Sequence, residues 1–262
     1  MRRNVESFLM VALLLGACSN QTAGGLVHVP FSISGLPRPD GGPLFLTTPL
    51  GWAVELDTAK IDLGPFYFNI DPPDPGQFRS GVVIAESLQQ VTVDALNPAL
   101  VPIVGGVSGQ TGAGAAVAAE IDLFPPGSTI TDPDLVGVDG GTAYLAGVAT
   151  MQGFTVPFQG WVFITQNLAS IDNPLPWIQR VNGALCDLNF TSSSQALTLQ
   201  VDPTTWFDQA NFLELVPNEG LASDAGAPDG GYGWTDVSAF NQAVLGQIQF
   251  TTGVYTFNLT SQ

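Results

Sequence analysis

The residues in this chain best suited to chemistry are carboxylates in turns. Asp132, Asp134 and Asp139 fall within eight residues, directly ahead of Gly140-Gly141. Calcium takes about six to eight oxygens from side chains of this kind and from backbone carbonyls. None of the acidic stretches has the spacing of an EF-hand loop, and Asp, Pro and Gly also gather in turns for backbone reasons alone. Two readings therefore stand for this cluster, a calcium site or ordinary turn chemistry. Asp224, Asp229 and Asp236 space a second Gly-rich stretch that contains Tyr232-Gly233-Trp234. Aromatic rings beside carboxylates stack on sugars or anchor a protein partner. The same rings can fold back onto their own domain as a plug.

Other chemistries find little support. The chain has one histidine, His28, on the outward side of an alternating stretch. A transition-metal site needs several His or Cys ligands, and no CxxC or HxxxH pattern accompanies it. Serine catalysis wants a GxSxG-like elbow and a histidine base, and neither is offered. The glycine-rich stretch 105–119 lacks GKS or GKT, and no helical pattern follows it, so it is not a phosphate cradle. A carboxylate pair for glycoside hydrolysis needs no local motif. Glu86, Glu120 and Glu214 are the candidates outside surface loops, and each reads as a solvated strand or helix position. No catalytic motif emerges, and the chain reads as a non-enzymatic binding or structural module.

The N-terminus carries a sharper signal. Residues 1–20 read MRRNVESFLMVALLLGACSN. Two arginines, then ten apolar residues, then small residues make the layout of a secretory signal peptide. The apolar run is too short for a bilayer span of roughly 20 residues. Leu15-Gly16-Ala17-Cys18 resembles the lipobox of bacterial lipoproteins. The resemblance implies cleavage between Ala17 and Cys18, a diacylglyceryl group on the Cys18 sulfur and acylation of the new N-terminus. One chain holds weakly, whereas two or three anchor stably. Ser19, rather than Asp, follows the cysteine, which in that family implies the outer membrane. Palmitate-type chains would then be the membrane contact, and Cys186 would be left as a lone thiol.

Composition narrows the partners. Six Lys+Arg against 23 Asp+Glu give a formal net charge of −17. Phosphate binding wants a basic face, so nucleic acid is a poor partner. A chain cut before Cys18 keeps Arg38, Lys60, Arg79 and Arg180 as its cations and loses only Glu6 among its acids. Such a surface repels polyanions and tolerates cations. The partners expected are the membrane, through covalent lipid, and an unidentified envelope protein or glycan.

The elements that would hold these residues are strands. Apolar residues make up 45% of the chain, enough to fill a core, while 30 Gly and 20 Pro argue against helical bundles. Val27, Val29, Phe31 and Ile33 alternate with mostly polar neighbours, and Pro30 predicts an edge strand. Trp52, Val54 and Leu56 share a face. Residues 85–90 read as a short helix or a further strand. Further strands are expected over 117–124, 142–150, 154–165, 183–191 and 196–201, at spacings that suit an antiparallel β-sandwich or barrel. Phe207, Phe212 and Leu215 offer packing surface after Asp202. Asp236 is expected to cap a helix through Leu245, and Gly253 to turn a hairpin between 247–251 and 254–259. The expectation is an all-β domain over 26–262 with one or two short helices, behind a tether at 18–25 and a leader at 1–17.

Residues 51–68 (GWAVELDTAKIDLGPFYF), 75–96, 141–164 and 197–212 (LTLQVDPTTWFDQANF) resemble a group of poorly characterised secreted bacterial lipoproteins. Some members place histidines in the loop here written DPGQFRSG and near GTAYLAG, which implies metal binding in those members. This chain has Gln77, Phe78 and Arg79 there and no histidine. The metal function therefore does not carry over, and the resemblance favours one β-rich unit.

Overall fold

The computed structural model describes residues 25–38, 41–72, 81–123, 141–164, 179–216, 231–235, 238–249 and 252–261. Among them the chain is all-β: twelve strands in one curled, mixed sheet, with one α-helix and one 3-10 turn. The spine is β3 (Ala53–Asn69), long enough to serve two parts of the sheet. Its first half pairs with β2 (Leu44–Thr47) on one side and β8 (Gly141–Met151) on the other. β9 (Phe154–Phe163) returns along β8. Its second half pairs with β4 (Val83–Ser87) and β7 (Ala116–Leu123). The change occurs where the register with β7 slips between Leu63 and Phe66. Gly64 takes a positive φ of 99° there, and a Cβ would strike the Gln89 carbonyl. β5 (Val91–Asp94) borders β3 at this junction, and its Thr92 Oγ1 donates to the buried Asp62 Oδ1 at 2.6 Å.

From β3 the sheet curls through β4, β6 (Val101–Gln110), β1 (Leu26–Ser34), β11 (Gln195–Val201) and β12 (Tyr255–Ser261). In the other direction it runs through β7 to β10 (Gln179–Leu188). The ends of this path, β10 and β12, approach each other. Inside the curl Phe31 meets Phe66 edge-on at 5.1 Å, and Phe68 packs on Phe190 and Phe257. A second aromatic group lies under β8 and β9. Phe212 is its hub, with ring centroids 5.0–5.4 Å from Trp52, Phe158, Phe207 and Phe240. It is delivered by the 3-10 turn Phe212–Leu215 and by helix α1 (Ala239–Ile248). Phe207, Phe212 and Leu215 are buried as the sequence suggests.

Several local expectations need correction. β1 is not an edge strand, since it pairs antiparallel with β6 and parallel with β11. The missing N–H of Pro30 is accommodated because the register slips between Val29 and Phe31. Gly105 and Gly106 supply the positive φ values of that bulge. The same parallel pair makes the sheet mixed rather than purely antiparallel. Of the two readings for residues 85–90, the strand holds, as the end of β4, and the helix does not. Helix α1 is capped by Ser238, whose Oγ accepts from the Asn241 N–H at 3.0 Å; Asp236, the cap expected from sequence, lies outside the described residues. Residues 247 and 248 belong to that helix, and β12 pairs with β11, so Gly253 turns no hairpin. Glu120 is not solvated, being only 3% exposed on β7.

Candidate binding face

β3 opens on a strict alternation that holds as far as a register slip between Leu56 and Thr58. Val54 and Leu56 face the core, while Ala53 and Glu55 face outward. β8 repeats the pattern with Leu145 and Ala149 inward and Val148 and Thr150 outward. Side chains directly opposite in an antiparallel ladder share a face. The register therefore sets Phe45, Glu55, Val148 and Pro157 in one lateral row across β2, β3, β8 and β9. Thr47, Ala53, Thr150 and Thr155 form the next row. Between the two rows lies a cleft of about 330 Å³, bordered by Phe45, Thr47, Ala53, Glu55, Val148 and Thr150. Small Ala53 makes the floor low. Phe45 is 70% exposed, an unusual position for a phenylalanine in a water-facing sheet. Further along the same face Asp94, Lys60, Tyr144 and Trp161 are ladder neighbours, and the Tyr144 and Trp161 rings lie 5.3 Å apart.

The free edge of β9 beside this face is closed by the chain itself. Tyr232 runs parallel to β9, donating its N–H to Pro157 O at 2.8 Å and accepting from the Gln159 N–H at 3.1 Å. The Asn241 side chain accepts from Phe163 N–H at 2.7 Å and donates to Phe163 O at 2.9 Å. The edge is thus blunted against strand addition. Trp234 is half-buried, its ring 5.0 Å from Phe240 and laid over Gly160. A Cβ on Gly160 would stand 3.2 Å from the indole.

A second locus crosses the outer side of the curl. The register aligns Glu120, Tyr67, Glu86, Ser108 and His28 in one row over β7, β3, β4, β6 and β1. His28 is exposed, and its Nδ1 lies 3.0 Å from Ser108 Oγ. The order along the row sets Glu86 on the far side of Ser108. An activated serine needs the histidine between itself and the acid, so the row does not compose a charge relay. Cys186 is half-buried and donates to Ala116 O at 3.4 Å. Burial, and secondarily the charge of Asp187, push its thiol up to about 12. A thiol so held is a poor nucleophile at neutral pH.

Of the residues singled out from sequence, Ala17 and Cys18 lie outside the described residues, as do Asp132, Asp134 and Asp139. Among the described residues no group of three or more His, Cys, Asp or Glu could hold a metal ion. No motif marks Phe45 or Glu55; the sequence signal at Phe45 is a short apolar run, Leu44-Phe45-Leu46, ahead of the Pro49-Leu50-Gly51 turn.

No family model matches the chain. No curated protein sequence matches it. Among solved structures, MbnP from Methylosinus trichosporium aligns over 90% of this chain and 99% of its own, at 13% identity and a TM-score of 0.38, a likeness too loose to bear on function.

Proposed function

We propose that this chain is a lipid-anchored, non-enzymatic binding module of the bacterial outer membrane, held through Cys18 and receiving its ligand on the open face of β2, β3 and β8. The observation that carries the reading is the position of the cleft on β3. Ala53 and Glu55 stand at the start of that strand and Asn69 at its end, beside the end of the curl where β1 begins. Sixteen residue steps at about 3.3 Å reach at most ~50 Å, with the cleft toward one end of the strand and the entry of the chain toward the other. The lipobox pattern supports the anchor. Among the described residues no helix is long and apolar enough to cross a membrane, so covalent lipid is the attachment this reading uses. A photo-cross-linking residue in place of Phe45, in cells, should trap an envelope component, while one in place of exposed Leu100 should not. Equal labelling at both positions, or none at Phe45, would remove the cleft from the proposal.

One feature of the cleft favours a carbohydrate ligand. Phe45 presents an apolar ring beside the hydroxyls of Thr47 and Thr150 and the carboxylate of Glu55. Sugars offer apolar faces to rings and hydroxyls to such groups. A glycan array separates the candidates. Binding lost in Phe45→Ala assigns the cleft, and binding lost only in Trp234→Ala assigns the Tyr232–Trp234 segment. A flat array with the unaltered protein removes the sugar reading and leaves a protein partner.

A further inference from the structure

We infer that the end of the curl where the chain arrives from Cys18 rests directly on the lipid surface, with Leu26, Val83 and Leu185 in contact with a zwitterionic bilayer interface. The inference rests on the Cys18 anchor proposed above. The register places these residues at one end. Leu185 on β10 is opposite Ala118 on β7, Ala118 is opposite Asn69 on β3, and Asn69 is opposite Val83 on β4. Leu26 opens β1 opposite Gln110, the last residue of β6. Leu26 is 68% exposed, Val83 45% and Leu185 72%, and neighbouring Val82 is 57% exposed. Large apolar side chains also reach solvent elsewhere, but only at this end do they coincide with the entry of the chain.

That entry is fixed. The Thr111 N–H and Oγ1 both donate to Gly25 O, at 2.9 and 3.0 Å. Seven residue steps separate Gly25 from Cys18, and at 3.3–3.6 Å per residue they span at most about 25 Å. A tether that short keeps this end of the domain near the headgroups. The next row up the same strands is amphipathic, with Tyr67, Glu86, Ser108 and His28 side by side. Apolar side chains below a tyrosine, a histidine and a carboxylate make the profile of a surface seated at a membrane interface. The charges choose the lipid. Glu86 stands in that row, and Asp71 and Asp187 are exposed at the same end. They suit the ammonium of phosphatidylethanolamine and oppose anionic headgroups.

The test uses the whole chain, expressed with its leader, purified from the envelope and returned to vesicles of phosphatidylethanolamine and phosphatidylcholine. Nitroxide labels are attached at Leu26→Cys and Val83→Cys, with Leu100→Cys and Phe154→Cys as distant controls. All four positions are exposed, so folding is not at stake. Half-buried Cys186 is replaced by alanine in every variant, so that only the introduced thiol carries the label. The inference expects labels at 26 and 83 to lose collisions with a water-soluble nickel complex and gain them with oxygen, while 100 and 154 do neither. Protection from both reagents means a protein contact and overturns the lipid assignment. Unchanged accessibility at 26 and 83, with Cys18 shown by mass to carry lipid, overturns this inference and leaves the anchor standing. An unmodified Cys18 overturns both.

Discussion

Replacing Asn241 by alanine tests how the back of the binding face is held. The Asn241 side chain is fully buried and bridges both backbone groups of Phe163, at 2.7 and 2.9 Å. Each hydrogen bond contributes about 1 kcal/mol net, and each buried group left unpaired costs about 1–3 kcal/mol. Alanine is the better helix former by roughly 0.5 kcal/mol, which offsets little. The expected loss is therefore about 2–4 kcal/mol. For a chain of this size that is a fall in Tm of roughly 4–16 °C, at about 2–4 °C per kcal/mol. Equilibrium urea unfolding followed by tryptophan fluorescence measures the loss, and amide exchange reports whether the Phe163 N–H has opened. A loss under about 0.5 kcal/mol, the range of an ordinary surface substitution, with Phe163 still protected, would refute the edge-closure argument.

Phe212→Ala should cost about 3–5 kcal/mol, because it empties the hub of the second aromatic group, whereas exposed Phe154→Ala should stay within about 0.5 kcal/mol; urea midpoints compare them. Cys186 should resist iodoacetamide in the folded protein at pH 8 and react once unfolded in urea. Its thiol is raised from an ordinary 9.0 to about 12, so the unfolded chain releases the proton first. The stability it lends is complete below pH 9 and is lost as pH climbs toward 12, visible as alkaline destabilisation that Cys186→Ala lessens. Millimolar calcium should leave the Tm unchanged if Asp132, Asp134 and Asp139 serve only turns. A rise that disappears when all three become Asn would establish the cation reading, since a ligand at 100 times its Kd adds ~2.7 kcal/mol.

Period-two alternation carried most of the architecture. Val27, Val29, Phe31 and Ile33 are all buried, as are Trp52, Val54 and Leu56, because a half-buried strand writes its inward face directly into the sequence. What local pattern does not encode is who lies beside a strand. Pro30 pointed to an edge, yet a bulge supplied by distant Gly105 and Gly106 lets β1 run through the interior of the sheet. Glu120 looked solvated because charge usually is. It is nonetheless 3% exposed, while Glu86 in the same lateral row is only half-buried, a difference that local sequence pattern does not carry. The cleft was illegible for the same reason. Phe45 and Glu55 are close in sequence, but Val148 lies some ninety residues further on and joins them only through the register of β8 on β3. The Ser238 cap was open to reading, since Ser is a strong cap residue, but Asp236 competed for it two residues earlier.

The central claim is that a lipid holds this acidic domain to the envelope by Cys18. Intact mass and terminal-peptide mass spectrometry of protein purified from native membranes test it most directly. The account predicts a chain beginning at Cys18 with a diacylglyceryl thioether and an acylated amine. A chain that still begins at Met1, or a Cys18 carrying a free thiol, would contradict it.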